Sequence, residues 1–354
     1  MNNGLDDVVA AETMLSDVDG ANGRLIIRGH SLDAIAGRMG FEDLVHLLFD
    51  GFFDDLPSPE HLGAMLGRAR LEVFDTAAPL LPLLAGIPTY DAMRAATALF
   101  PDGTSLADAL RLIAAPAVLT PALIRQATGQ APIAPDPTRR HAEDIVHMLG
   151  RNDGADALDT YLVTVSDHGL NASTFAARVV ASTQAGLTSA VVAGMSALKG
   201  PLHGGAPGPV IEMLDAIAAD GDAHRWLSRA VDSGERLMGF GHRIYRTRDP
   251  RADALKAALR RLPRTDGRLA FAEQVEATAL DVLRSRKPDR VLQTNVEFYT
   301  ALLLEAVGFP VDAFTNVFAM GRVAGWIAHA REQALTGRLI RPQSRYIAPQ
   351  GKAA

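Results

Sequence analysis

Three histidines and one glutamate stand in short motifs flanked by glycine or asparagine. They are Asp167-His168 followed by Asn171, Gly200-Pro-Leu-His203-Gly-Gly, Gly239-Phe-Gly-His242 and Asn295-Val-Glu297. Glycine beside histidine marks backbone that must come close to something, because the missing Cβ leaves room for a ligand. Several such motifs strung along helical sequence point to a preorganised acid/base pocket more than to core packing. Arginines crowd the same places. Arg243, Arg246, Arg248 and Arg251 follow His242, Arg322 lies in the otherwise apolar run Ala319–Trp326, and Arg341 and Arg345 stand near the C-terminus. Guanidinium forks match carboxylates and phosphates bidentately, and an unpaired guanidinium in an apolar helix would be costly. A pocket of this make-up suits a small dianionic acid together with a phosphorylated carrier.

Other chemistries fit these residues less well. His168, His203, His242 and Glu297 would also make a plausible three-histidine, one-carboxylate metal set. Their spacings are long, no close pair shares a helical turn, and no acidic partner sits beside each histidine, so no metal is expected. Gly194-Met-Ser196-Ala-Leu lacks the second glycine of a serine-hydrolase elbow. Gly239-Phe-Gly241 lacks the third glycine of a dinucleotide loop. The chain has no cysteine, which excludes disulfides, thiol nucleophiles and thiolate metal sites. His46, His61, His141 and His147 lie in helical sequence without special neighbours and are expected on the surface or satisfied in the core; His329 is expected to be structural. Asn171-Ala-Ser173 is formally a glycosylation sequon, without meaning unless the chain is exported.

The elements that position these motifs read as helix after helix. Ser58 caps a helix opened by Pro59, with the apolar-periodic stretch at His61–Leu71. Ser31 is expected to cap Leu32–Met39, which Gly40 stops; Phe41–Phe49 and Arg139–Leu149 follow. The one convincing strand is Arg24–Arg28. Ser173–Thr183 and Leu187–Leu198 carry almost no charge and are expected to be buried all round, the second delivering His203 deep into the protein. The proline-rich segments Ala115–Pro121 and Ala131–Pro137 are expected to punctuate helices. Strands alternating with helices are absent, so the expected fold is all-α.

At 354 residues, 48% of them hydrophobic, the chain can bury one large core or two linked ones. No uncharged apolar run approaches the length of a membrane span and no signal sequence is visible, so a cytoplasmic protein without membrane partners is expected. Net charge is −6 and the basic residues are dispersed, which argues against a nucleic-acid partner. Composition turns more charged after Pro207 and apolar again from Thr315. The expected division is a large helical domain of 1–206 and 309–354, with a smaller hinged helical domain of 207–308.

Five motifs together resemble the consecutive signatures of the citrate synthase family. They are Gly200-Pro-Leu-His-Gly-Gly205, Met238-Gly-Phe-Gly-His-Arg-Ile-Tyr-Arg246, Asp249-Pro-Arg251, Asn295-Val-Glu-Phe-Tyr299 and Phe318-Ala-Met-Gly-Arg322. Order and spacing agree, and Val18 to Gly29 resembles the family's N-terminal segment, so the likeness covers nearly the whole chain, as a short form. The resemblance implies condensation of acetyl-CoA with oxaloacetate to citrate and CoA, through an enolate and hydrolysis of citryl-CoA. His203 would stabilise the enolate, His242 would polarise the keto oxygen, and Glu297 would take the methyl proton. His168, Arg251 and Arg322 would hold the carboxylates, with Arg341 reaching in from the partner of a homodimer with shared active sites. Arg246, with Gly239 and Gly241, would bind CoA, a co-substrate; no permanently bound cofactor is implied. Two departures stand out. Glu297 replaces the family's aspartate, and Pro207-Gly208 replaces a common Asn-Glu. One added methylene moves a carboxylate by about 1 Å on a fixed backbone, enough to cost about a hundredfold. Two further readings stay open: a 2-methylcitrate synthase using propionyl-CoA, and a catalytically weak homologue that binds a carboxylate or CoA ligand.

Overall fold

Residues 4–5, 8–204, 207–242, 244–262 and 266–347 are described by a computed structural model (Asp266 by its backbone alone). Gly205 of the Gly200–Gly205 motif and Arg243 lie outside the described residues. Within them, one small antiparallel sheet precedes fifteen α-helices. The sheet runs β1 (Ser16–Asp19), β2 (Arg24–Ile27) and β3 (His30–Ser31), with Ser16 opposite Ile27 and Ile27 opposite His30. The strand expected from sequence is β2. Its partner β1 escapes a pattern-based reading because Ser-Asp-Val-Asp has a single apolar residue.

The helices begin with α1 (Leu32–Ile35), α2 (Phe41–Phe49), α3 (Pro59–Ala77), α4 (Thr89–Thr97) and α5 (Leu106–Ala127). Next come α6 (His141–Met148), α7 (Ala155–Val165), α8 (Ala172–Ala181), α9 (Leu187–Leu198) and α10 (Gly208–Asp220). The last are α11 (Ala223–Asp232), α12 (Pro250–Leu259), α13 (Asp266–Arg286), α14 (Val296–Val307) and α15 (Phe314–Thr336). Ser58 Oγ accepts the His61 N–H to open α3, with Pro59 in its first turn, as the sequence indicates. Ser105 and Asp108 form a reciprocal capping box on α5. The α1 helix is shorter than expected. It ends at Ile35 because Gly37 takes φ +69°, and the Ser31 side chain caps nothing.

Pro116 and Pro121 lie inside α5 instead of ending it. Each removes a backbone hydrogen bond at a cost of about 3 kcal/mol. Packing of α5 against α3, α4 and α15 offsets that cost, and 78% of its most apolar stretch is buried. By length and composition α5 could cross a membrane, although its Asp108 and Arg111 keep it from being an uncharged run. Here it is the spine of the core. Central α15 packs on α5, α7, α8 and α9, while α12 and α14 pack on each other and both touch α7. The α8–α9 pair is buried on one side only: Phe175, Val179, Val192 and Ala197 remain half-buried in the single chain.

Charge is also buried in this core. Arg70 is fully buried and donates to Asp144 Oδ2 at 2.6 Å and to the Arg139 carbonyl at 2.8 Å. Its Nη1 lies 3.2 Å from His141 Nδ1, while His141 Nε2 is buried without a partner. His141 is therefore a core histidine that is only half satisfied. Arg70→Ala leaves the Asp144 carboxylate buried and uncompensated, which costs about 3–5 kcal/mol. Urea unfolding followed by circular dichroism should show that loss; a change under about 1 kcal/mol would mean that the α3–α6 junction does not depend on the pair.

Candidate active site

Asp249 organises the first half of the site. As N-cap of α12 it accepts the Arg251 N–H at Oδ1, while its two oxygens take the Arg251 guanidinium at 3.0 and 2.9 Å. Its Oδ2 also accepts the Val296 N–H at 3.1 Å, capping α14. One carboxylate thus joins the N-termini of two helices and clamps an arginine. Burial works against the Arg251 charge, but Asp249 outweighs it and holds the guanidinium above its ordinary pKa.

A short backbone ladder sets His242 beside α14. Gly241 N donates to the Gln293 carbonyl at 2.7 Å and Asn295 N to the Gly239 carbonyl at 3.0 Å. Gly239 and Gly241 adopt φ +85° and +81°, and a Cβ on Gly239 would strike Phe298. Their glycine character is thus explained by this ladder and by packing. His242 Nδ1 accepts two backbone N–H groups, from Ile244 at 3.0 Å and Tyr245 at 3.1 Å. The other ring nitrogen, Nε2, lies 3.2 Å from Arg251 Nη2, so guanidinium and imidazole meet directly. Burial, reinforced by Arg251, pushes the His242 imidazole down to about 4, so the ring is neutral at pH 7.

His168 faces this pair from the α7–α8 loop. Its ring lies 5.8 Å from that of His242, and its Nε2 is 3.1 Å from the Tyr245 hydroxyl. Burial and the positive charges of Arg251 and Arg322 push its pKa well below the usual histidine range. Arg322 reaches the same region from α15. Gly321 and Gly325 let α15 approach the end of α7, so that Arg322 Nε donates to the Val165 carbonyl at 2.6 Å. The guanidinium is 1% exposed and has no carboxylate within 4 Å among the described residues. Burial lowers its pKa to about 10 despite Asp167. A buried, unpaired guanidinium is costly by itself and favours an anion beside it. The preceding loop is held by Asp167, which accepts the His168 N–H and the ring of His329. His329 Nδ1 takes Arg178, and Arg178 pairs with Glu332 at 2.6 Å, so the structural role expected for His329 is borne out.

His203 completes the opposite side, at the end of α9. Its Nε2 lies 2.8 Å from Ser173 Oγ, which is 2.8 Å from Asn171 Oδ1 and accepts the Trp326 indole N–H at 3.2 Å. When Ser173 donates to Nε2, the other ring nitrogen carries the proton and is free to donate; when it donates to Asn171, His203 must itself donate to Ser173. The Asn171-Ala-Ser173 sequence, formally a sequon, is therefore a helix cap joined to a histidine support. Burial, with Arg322, pushes His203 down to about 4. Glu297 sits in the first turn of α14, and its Oε2 is buried without a hydrogen-bond partner. Burial raises its pKa above the carboxylate norm although Arg251 pulls the other way.

Six of the expected site residues thus surround one region: His168, His203, His242, Arg251, Glu297 and Arg322. Among the described residues no three histidine, aspartate or glutamate side chains converge as a metal would require. Arg246 is exposed, its N–H bonded to the Gly20 carbonyl, and Arg341 is exposed on the tail after α15. Neither joins the pocket within the single chain. Sequence reading missed Asp249 and Tyr245, both inside quoted motifs, and Ser173; the signal for the first two was a polar residue one or two positions from a site residue, and for Ser173 its place in the Asn171-Ala-Ser173 cap.

A family model described as "Citrate synthase, C-terminal domain" matches residues 4–343. The chain is 38% identical to "Putative citrate synthase 2" of Mycobacterium tuberculosis, over 98% of this chain and 92% of that protein. It is 33% identical to a 2-methylcitrate synthase of the same organism, over 97% of this chain and 89% of that protein. Among solved structures it resembles citrate synthase of the archaeon Thermoplasma acidophilum in ternary complex with carboxymethyl coenzyme A and oxaloacetate. That likeness has a TM-score of 0.86 at 28% identity and covers 100% of this chain and 98% of the other. All-helical fold, ordered motifs and full-length similarity agree, and the chain belongs to the citrate synthase family of acyltransferases.

Proposed function

We propose that this enzyme condenses acetyl-CoA with oxaloacetate and hydrolyses the citryl thioester, releasing citrate and CoA. The observation that carries the reading is the buried cluster of Arg251, Arg322 and three neutral histidines, a cationic pocket fitted to a small dicarboxylate. Arg251 and Arg322 take the carboxylates, with His168 beside them. His242, with Arg251 beside it, binds the keto oxygen and polarises it toward attack. Glu297 removes a methyl proton from the thioester, while the free N–H of His203 stabilises the enolate oxygen as charge develops. Both histidines remain neutral at pH 7, so they stabilise oxyanions without carrying a full buried charge. No resident cofactor is needed, since acyl-CoA is a co-substrate, with Arg246 on its phosphates. Residues 207–308 act as the smaller domain that closes over the cleft and excludes water.

The similarity to a 2-methylcitrate synthase supports a second reading with propionyl-CoA. Thiol release with oxaloacetate decides between them: kcat/KM for acetyl-CoA should exceed that for propionyl-CoA, by a modest factor because one methylene in an apolar pocket discriminates by about 1–3 kcal/mol. The reverse order assigns the enzyme to propionyl-CoA. Tight oxaloacetate binding with no turnover of either thioester would make it a binding homologue.

Glu297 must be ionised to act as base. Because burial raises its pKa, kcat should fall on acidification at a pH above the usual carboxylate pKa, before the two histidines with values near 4 protonate. Glu297→Gln should lower kcat by orders of magnitude with oxaloacetate affinity nearly intact, the mark of a transition-state interaction. Full activity in that variant would remove Glu297 from the base role.

Two features support a homodimer. The α8–α9 pair leaves apolar side chains half-buried, and Arg341 stands exposed on the tail after α15. Arg341 then completes the site of the partner subunit. Mixing inactive Arg341→Ala with inactive Glu297→Ala should restore activity in heterodimers, since one composite site regains both residues. Absence of rescue after demonstrated subunit exchange would place Arg341 outside any shared site.

A further inference from the structure

Tyr245 touches three residues of the pocket, His168, His242 and Arg251. Its hydroxyl lies 3.1 Å from His168 Nε2, and its ring centroid is 5.6 Å from that of His168 and 4.8 Å from that of His242. The Arg251 guanidinium carbon stands 5.6 Å from the same ring. Its backbone N–H donates to His242 Nδ1, and the side chain is 3% exposed. A tyrosine buried among two histidines and an arginine, with its one polar atom on a site histidine, is placed for more than filling space.

We propose that Tyr245 is a positioning residue of the dicarboxylate pocket, whose hydroxyl fixes the ring of His168 and shares a single donor with it for a substrate oxygen. This rests on the oxaloacetate reading above. Between a neutral imidazole and a phenol there are two hydrogens and one shared hydrogen bond. If the phenol donates to Nε2, His168 carries its proton on Nδ1 and that N–H is left over. If Nε2 donates to the phenol, the phenolic O–H is left over. Either arrangement satisfies His168 Nε2 and leaves one donor, without adding charge to the guanidinium pair. Arg251 and Arg322 thus supply the charge that attracts a dianion, while Tyr245 and His168 supply a neutral, directional contact. The three rings pack as a triangle, with centroids 5.8, 5.6 and 4.8 Å apart.

Tyr245→Phe keeps the ring and removes only the hydroxyl. Oxaloacetate titrated calorimetrically into the intact protein should bind about tenfold more weakly to this variant than to the wild type. The effect should be smaller in the His168→Gln background, because the hydroxyl and that ring share one donor. Nitrogen-15 spectra of histidine-labelled protein, taken without ligand, should show the His168 ring signals shift on loss of the hydroxyl, a change that simple loss of packing would not confine to one histidine. Wild-type affinity in Tyr245→Phe, or equal weakening in both backgrounds, would overturn the proposal and leave the oxaloacetate reading standing. No oxaloacetate binding by the wild type would overturn that reading, and this assignment with it.

Discussion

The carboxylate of Asp249 is the constraint on which the site depends. It caps α12 and α14 at once and grips Arg251 with both oxygens. The orientation of α14 places Glu297, and the Arg251 fork stands against His242 Nε2. Ionic attraction in a buried setting is offset by desolvation, so the pair contributes little net stability. Its contribution is geometry: one group holds Glu297, His242 and Arg251, the proposed base, electrophile and carboxylate ligand, in a common frame, so their relative positions do not rely on three separate loops.

Around that frame the protein keeps cations charged and histidines neutral. Two arginines sit within a volume that holds His168, His203 and His242, and both the lack of water and the neighbouring positive charge disfavour imidazolium. Each ring is held by fixed partners: backbone amides for His242, a serine shared with Asn171 and Trp326 for His203, and a tyrosine for His168. In the proposed reaction the guanidinium groups draw in the anionic substrate and the neutral histidines act through hydrogen bonds. Glu297 faces the opposite pressure. Burial favours its neutral form and Arg251 its charged one, and the net effect is a raised pKa, which suits the base role proposed for it.

If Glu297 is the base, as proposed, its extra methylene is compatible with this arrangement because the residue lies in the first turn of a capped helix, not on a loop. The cap fixes the backbone, and the longer side chain adjusts through its own torsions. The family's reaction class is thus retained while the exact placement of the carboxylate is set by α14.

The sequence by itself determined the chemistry-bearing residues, their order along the chain and the helical class. Motifs such as Gly239-Phe-Gly-His242 and the caps at Ser58 and Asn171 are local, and local hydrogen bonding leaves a local signature. Tertiary structure decided the rest. β1 exists because β2 offers it a ladder, Pro116 and Pro121 are carried inside α5 because its neighbours bury it, and α8–α9 are half-open because none of the described residues covers their outer side. Asp249, Ser173 and Tyr245 gain their roles from partners 47, 30 and 77 residues away in sequence. No periodicity records a hydrogen bond across such distances; only the packed chain brings its two ends together.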